Sequence, residues 1–238
     1  AFVMKKAAVL CLGLIFFACF MPVFGQASFN DALLPGLEAY AREDWATSIM
    51  LFKKAYTEKR APEEESLFWL VMAQMSAGET RSALNDCNAF LAKYAGSEHG
   101  AEVAYQRGRA LYLLDQNDEA IKQLYDFVKA NPNHEKVSFA LFWIAESLYG
   151  YKNYERAALF YKMIVDDYSA SPKREASLYR LELIQQRQRE EELLQLLKIT
   201  HEESLKAAEE YEKKSRSYEQ AIAAYQRRIF ELENQLSK

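Results

Sequence analysis

Catalysis and metal binding need nucleophiles, acids or ligand side chains brought together, and this chain offers few. Its three His residues, His99, His134 and His201, stand far apart, and none has a Cys or second His near it in sequence. A zinc site announced by sequence alone would show such neighbours at short spacing. No HExxH, CxxC, phosphate-loop or serine-elbow pattern occurs. Glu63-Glu64-Glu65 and Glu190-Glu191-Glu192 are carboxylate runs, but consecutive acids on a helix point in different directions. They suit helix starts or solvated faces rather than paired acid–base work. Of three Cys, Cys11 and Cys19 fall in an apolar N-terminal run and only Cys87 lies beyond it. A single buried thiol is the simplest reading of Cys87, with no internal disulfide. The expectation is no enzyme, no cofactor and no metal site.

Composition narrows the class. The chain has 238 residues, half of them in the hydrophobic set and 27% charged, which suits one or two folded domains. Five Pro and eight Gly are few, and the remainder is rich in helix formers, which points to an all-α fold. The net charge of −4 comes without a basic cluster, so nucleic acid is excluded as the expected partner. Near the N-terminus, Met4-Lys5-Lys6 precedes a run from Ala7 to Phe24 that is almost wholly apolar, then small residues at Gly25 and Ala27. That order predicts an export signal over residues 1–27. Two alternatives stay open. Phe17-Ala18-Cys19 is a loose lipidation pattern with Cys19 as acceptor, and the run is about long enough to remain as an anchor.

The elements that would position any site repeat themselves. The stretch from Ala101 to Ser171 carries the same pattern twice at an offset of 37 residues, which sets Tyr105 on Phe142, Leu111 on Leu148, Tyr112 on Tyr149, Ala120 on Ala157 and Leu124 on Tyr161. A fixed period of this length marks units that cannot bury an apolar face alone and must stack. Extending the register upstream gives the series Ser48, Ala83, Ala120, Ala157. Four places on stand Phe52, Cys87, Leu124 and Tyr161, and three further Ala55, Phe90, Phe127 and Ile164. A spacing of four then three is one helical face. A turn precedes each stripe, and Asn117 and Asn153 are expected N-caps.

Each unit is therefore a helix, a short turn and a helix. The unit length, Gly36 and Gly108, the small residue opening the second helix, and Pro62, Pro132 and Pro172 at unit ends resemble the tetratricopeptide repeat over about residues 30–172. Val71 departs from the glycine position. The phrase YERAALFYKMIVDDYSASPKREASLYRL resembles periplasmic members such as the Tol-Pal accessory protein and the outer-membrane assembly lipoprotein. The resemblance implies an all-α solenoid of about four helical hairpins, which with a capping helix from Lys173 to about Leu183 makes a repeat domain over residues 28–183. It also implies that Leu33, Phe68, Tyr105, Phe142 and Tyr179, with Tyr40, Met75, Tyr112 and Tyr149 seven residues on, line a concave groove. Arg109 and Glu146 would stand beside them. The residues themselves leave open that these aromatics only pack the core.

After Pro172 no further turn signal appears, and residues 184–238 run without Gly or Pro. A heptad places Leu194, Leu197, Tyr211, Tyr218, Ile222, Tyr225, Ile229, Leu232 and Leu236 on one seam, interrupted by His201, Ser204 and Ser215. This predicts a long coiled-coil helix. Lys214 would face Glu219, and Arg228 would face Glu233, of a parallel partner, which favours a homo-oligomer. A single helix, solvated or folded back, is the alternative. The resulting expectation is an exported, periplasmic scaffold or adaptor that binds a protein segment in an aromatic groove, in envelope assembly or division. The alternatives are a ligand-capturing partner of a small-molecule transport system and a lipid-anchored outer-membrane assembly factor.

Overall fold

The computed structural model describes residues 27–94 and 96–237. Cys19 and the expected signal segment, save Ala27, lie outside them. Among the described residues, no helix is long and apolar enough to cross a membrane. Eight of the described helices pair off as α1 (Ala27–Ala41) with α2 (Trp45–Thr57), α3 (Glu63–Ala77) with α4 (Thr80–Tyr94), α5 (Gly100–Leu113) with α6 (Asn117–Ala130), and α7 (Val137–Gly150) with α8 (Tyr154–Asp167). A further helix, α9 (Arg174–Leu236), follows. The chain divides into two compact units, one ending at Leu178 and one running from Tyr179 to Lys238.

Within the first unit each helix packs on the next in sequence, and α3 also meets α5, and α5 meets α7. First helices therefore stack along one wall and second helices along the other. The stripe read from the sequence is the seam between them. Ser48, Ala83, Ala120 and Ala157, then Phe52, Cys87, Leu124 and Tyr161, then Ala55, Phe90, Phe127 and Ile164 are all 2% exposed or less. Burial pushes the Cys87 thiol up to about 12, with Asp86 adding to it, so the sulfur is a packing group rather than a nucleophile.

The turns obey the same register. Glu43, Gly78, Asp115 and Lys152 hold positive φ of 59°, 79°, 58° and 59°. Each is followed by a residue whose amide donates five places back, Asp44 to Ala39, Glu79 to Gln74, Gln116 to Leu111 and Asn153 to Leu148, at 2.9–3.0 Å. That bond closes the first helix by a left-handed residue. Only the second helix pair fills the left-handed place with glycine. Gly78 has open space around it, so Gly78→Ala tests backbone conformation alone. It is expected to cost about 1 kcal/mol in chemical denaturation, with the midpoint moving and the slope unchanged.

Capping matches the expectation in one place and corrects it in another. Asn153 caps α8, its Oδ1 accepting from the Arg156 amide at 3.3 Å, as Asp44 caps α2 by accepting from Thr47 at 3.2 Å. Asn117 is not a cap. It is the first residue inside α6, Gln116 holds the cap position, and the Asn117 Oδ1 is buried without a hydrogen bond. The left-handed residue sets the cap position, which falls one place after it. Asn153 stands one place past Lys152, whereas Asn117 stands two places past Asp115.

Candidate functional site

Four of the five residues of the first predicted row are interior. Leu33, Phe68, Tyr105 and Phe142 are 4–8% exposed, because they face the second helix of their pair or the loop beyond it. The Tyr105 ring lies 5.9 Å from Phe127, Phe142 lies 6.0 Å from Tyr161, and Phe68 stacks on His99 at 3.9 Å. Met75 is buried as well. Glu146, expected beside the groove, is buried and accepts a hydrogen bond from the Tyr161 hydroxyl. Tyr179 is exposed and belongs to the second unit.

The second row does reach the surface of the first-helix wall. Tyr40, Tyr112 and Tyr149 are half-buried. Tyr40 packs against Trp69 of the next first helix at 5.7 Å, and Tyr112 packs against Trp143 in the same way at 4.9 Å. These contacts join one first helix to the next and stitch successive pairs together. Tyr149 turns instead to Tyr154 across its own turn, at 5.1 Å.

Between α5 and α7 this wall opens into a pocket of about 270 Å³ lined by Tyr105, Gln106, Arg109, Lys136, Phe139, Trp143 and Lys173. The Trp143 indole N–H donates to the Tyr105 hydroxyl at 3.1 Å, which fixes the ring. The Lys173 ammonium lies 4.5 Å from the Phe142 ring centre, 4.8 Å from Trp143 and 5.9 Å from Phe139. Lys136 stands 5.6 Å over Phe139 and 2.8 Å from Glu135. Arg109 donates to Gln106 Oε1 at 3.5 Å, and Gln106 donates to Glu102 at 2.8 Å. Burial, and after it the Arg109 charge, hold the Lys173 ammonium below the usual lysine range, while Glu146 acts the other way. Aromatic faces with a cationic rim are the chemistry of this surface.

Of these seven residues, only Tyr105 and Arg109 are expected from the sequence. Yet Lys136 and Lys173 stand 37 apart, and His99 stands 37 before Lys136. The repeat offset, applied to charges as it is to aromatics, finds this basic row.

His99 also shows what the sequence spacing conceals. Folding brings it within ligand distance of Glu65 and Glu98. Its Nε2 lies 2.8 Å from Glu65 and 4.0 Å from the exposed Glu98. The Glu65 pair, with the ring stacked on Phe68, ties α3 to the start of α5 and accounts for the closeness.

In the second unit, every described residue from 185 onward is exposed except Ser215. All nine predicted seam residues, Leu194, Leu197, Tyr211, Tyr218, Ile222, Tyr225, Ile229, Leu232 and Leu236, are open to solvent. Leu193, Leu196 and Ile199 are exposed too, so the apolar band at the start of the heptads is wider than a two-residue seam. Arg228 meets Glu231 of its own helix at 3.2 Å, and Arg216 pairs with Glu212.

Residues 102–134 and 139–171 match the family model described as tetratricopeptide repeat. These two helix pairs are tetratricopeptide repeats. The solved structure described as MamA protein is similar with a TM-score of 0.54 at 19% identity, over 65% of this chain and 79% of that one. A tetratricopeptide repeat protein from Parabacteroides merdae ATCC 43184 is similar with a TM-score of 0.54 at 16% identity, over 68% and 61%. No curated protein matches in sequence. The structural matches extend the repeat fold beyond the two matched repeats, and at these identities they speak to fold alone. The pocket lies on the two tetratricopeptide repeats that match and on the Lys173 that follows them.

Proposed function

We propose that the chain is a non-catalytic adaptor that holds a segment of a partner protein against the first-helix wall, at the pocket between α5 and α7. One observation carries this reading. The wall is closed by interior packing along most of the predicted rows, but here it leaves Trp143, Phe139 and three cations facing a cavity. Large rings and charged tips on rigid helices are what protein recognition uses most. At about 270 Å³ the cavity falls below the roughly 300–1,000 Å³ of drug-sized ligand sites. It suits one or two side chains of a longer segment better than a whole captured metabolite, which disfavours the transport-partner reading.

The apolar run after Met4-Lys5-Lys6 supports an exported adaptor, with envelope assembly or division as the setting inherited from the periplasmic resemblance. The exposed heptad seam of α9 supports a second role, self-association as a parallel homo-oligomer. To test the pocket, a photoreactive amino acid is placed at Tyr112 and the native envelope is irradiated. The expected outcome is a crosslink to one defined segment of one protein, lost in a folded Trp143→Ala variant. Crosslinks scattered over many proteins, or unchanged by Trp143→Ala, would overturn the reading.

A further inference from the structure

We propose that a second cavity, on the opposite wall of the first unit between α2 and α4, receives an arginine side chain of a protein partner, its guanidinium held by Asp86, Glu79 and the Gln74 carbonyl. The site is independent of the pocket between α5 and α7 and gives the adaptor a contact on its second-helix wall.

The cavity has a volume of about 310 Å³, with Leu70 and Gln74 of α3 as its buried floor and Glu79 and Asp86 on the α4 side. Gln74 is the anomaly. The repeat offset sets it level with Ala39, Leu111 and Leu148, all apolar and buried. Here a side chain only 5% exposed carries an amide. Its Nε2 donates to Asp86 Oδ2 at 2.8 Å, so the nitrogen end faces the carboxylate. Its Oε1 is buried and has no hydrogen bond among the described residues. A buried acceptor without a donor is costly, and the apolar residues of the other units avoid that cost. Asp86 also departs from the pattern, since its place is held elsewhere by Leu51, Gln123 and Phe160. Paired departures that cost stability where they stand are expected at a binding site, where a ligand offsets them. The charge balance names the ligand. Neither Asp86 nor Glu79 forms an ion pair among the described residues. Lys53 stands exposed on the α2 side, which leaves two carboxylates against one cation. The acceptors belong to three separate residues. A planar guanidinium with five N–H donors can serve several of them at once, whereas an ammonium directs three donors from one point. Ile49 and Tyr56 line the cavity on the α2 side and give the arginine stem an apolar surface to lie along.

The test offers the labelled full chain three bead-displayed libraries of seven-residue peptides, randomised around a central arginine, lysine or citrulline. Citrulline keeps the shape of arginine and removes its charge. The best arginine-centred peptides are expected to bind at least tenfold more tightly than their lysine and citrulline counterparts. Asp86→Asn and Gln74→Leu, each shown to be folded by circular dichroism, should each weaken that binding at least tenfold. Gln74→Leu should also unfold at the same temperature as the wild type or a higher one, since it installs the kind of residue the other units carry. Asp166→Asn, an exposed acid on α8, changes the net charge equally and should leave binding intact, as should Trp143→Ala in the pocket between α5 and α7. No preference for arginine, or arginine binding unchanged by Gln74→Leu, would overturn the proposal and leave the reading of that other pocket standing. Equal losses in Asp166→Asn and Asp86→Asn would reduce the effect to net charge and overturn it too. If N-acetylarginine amide alone competed at concentrations matching the best peptide, the cavity would belong to a small guanidinium compound and the proposal would fail.

Discussion

Gly108→Ala is expected to destabilise the repeat unit by about 2 kcal/mol, within the range of about 1–3 kcal/mol for overpacking a filled core. A Cβ built on Gly108 falls 2.5 Å from two carbons of the Leu124 side chain. Leu124 is fully buried, so it has no open side to move to, and the strain must pass to the contact between α5 and α6. Gly36 meets Phe52 at 2.6 Å in the same way. A loss of that size lowers the thermal midpoint by several degrees, at about 2–4 °C per kcal/mol for a domain of this length. Two comparisons separate the steric cause from helix propensity. Gly150→Ala, with nothing within 4 Å, should leave the midpoint unchanged or raise it, since alanine is the better helix former. Gly108→Ala with Leu124→Ala should lose clearly less than the sum of the single changes, because the cavity made by one accepts the methyl of the other. Strict additivity would show that the two positions are not in contact. The result bears on the pocket, because α5 also carries Tyr105, Gln106 and Arg109.

The same contact explains how much of the fold is legible in the chain. In the repeat register, Gly36, Val71 and Gly108 take one position and Phe52, Cys87 and Leu124 take the position they approach. Where Val71 stands in the glycine place, the partner place holds Cys87, smaller than Phe52 or Leu124, and both are fully buried. Periodicity finds such positions because burial recurs wherever the unit recurs. It does not say how deeply each position sits. Tyr105 and Tyr112 are seven residues apart on one helix face, yet one is buried and the other half-buried. Depth is set by what the neighbouring helices place opposite, and that is absent from a helical period. Residue type alone makes Asn117 a cap, while the left-handed Asp115 fixes the cap one place earlier. The basic row His99, Lys136, Lys173 is open to the same offset that finds the aromatics. It escapes notice because scattered charges on a chain of net charge −4 look like solvated surface. Glu65 beside His99 is beyond sequence reasoning, since only the stacking of α3 against the start of α5 brings residues 34 apart within 2.8 Å.

Light scattering on the full chain is expected to give two or more subunits, and a chain ending at Glu192 is expected to be a monomer. From Leu194 on, the helix shows its seam residues to solvent at 41–87% exposure. Burying each large apolar side chain is worth about 1.5–3 kcal/mol, which a second copy in register can supply at each heptad that carries one. The polar breaks at His201, Ser204 and Ser215 weaken the middle, so the association should depend most on the stretch from Ile222 to Leu236. Ile222→Asp with Ile229→Asp in the full chain tests that point without shortening the helix. Each carboxylate resists transfer from water into the seam, and every subunit contributes both, so the complex should fall to monomer while circular dichroism still reports folded repeats. Orientation is read separately by Leu236→Cys with Cys11→Ser and Cys19→Ser, where Cys87 stays inert in the core. Parallel chains bring the two introduced thiols together, and mild oxidation should join them. Antiparallel chains keep them apart. Lys214 with Glu219 and Arg228 with Glu233 favour the parallel arrangement, but exposed pairs contribute only about 0–1 kcal/mol each. High salt should therefore weaken the oligomer slightly, while the two Asp substitutions should abolish it. Equal subunit numbers for the full and shortened chains would leave the seam to another protein and remove self-association from the function proposed.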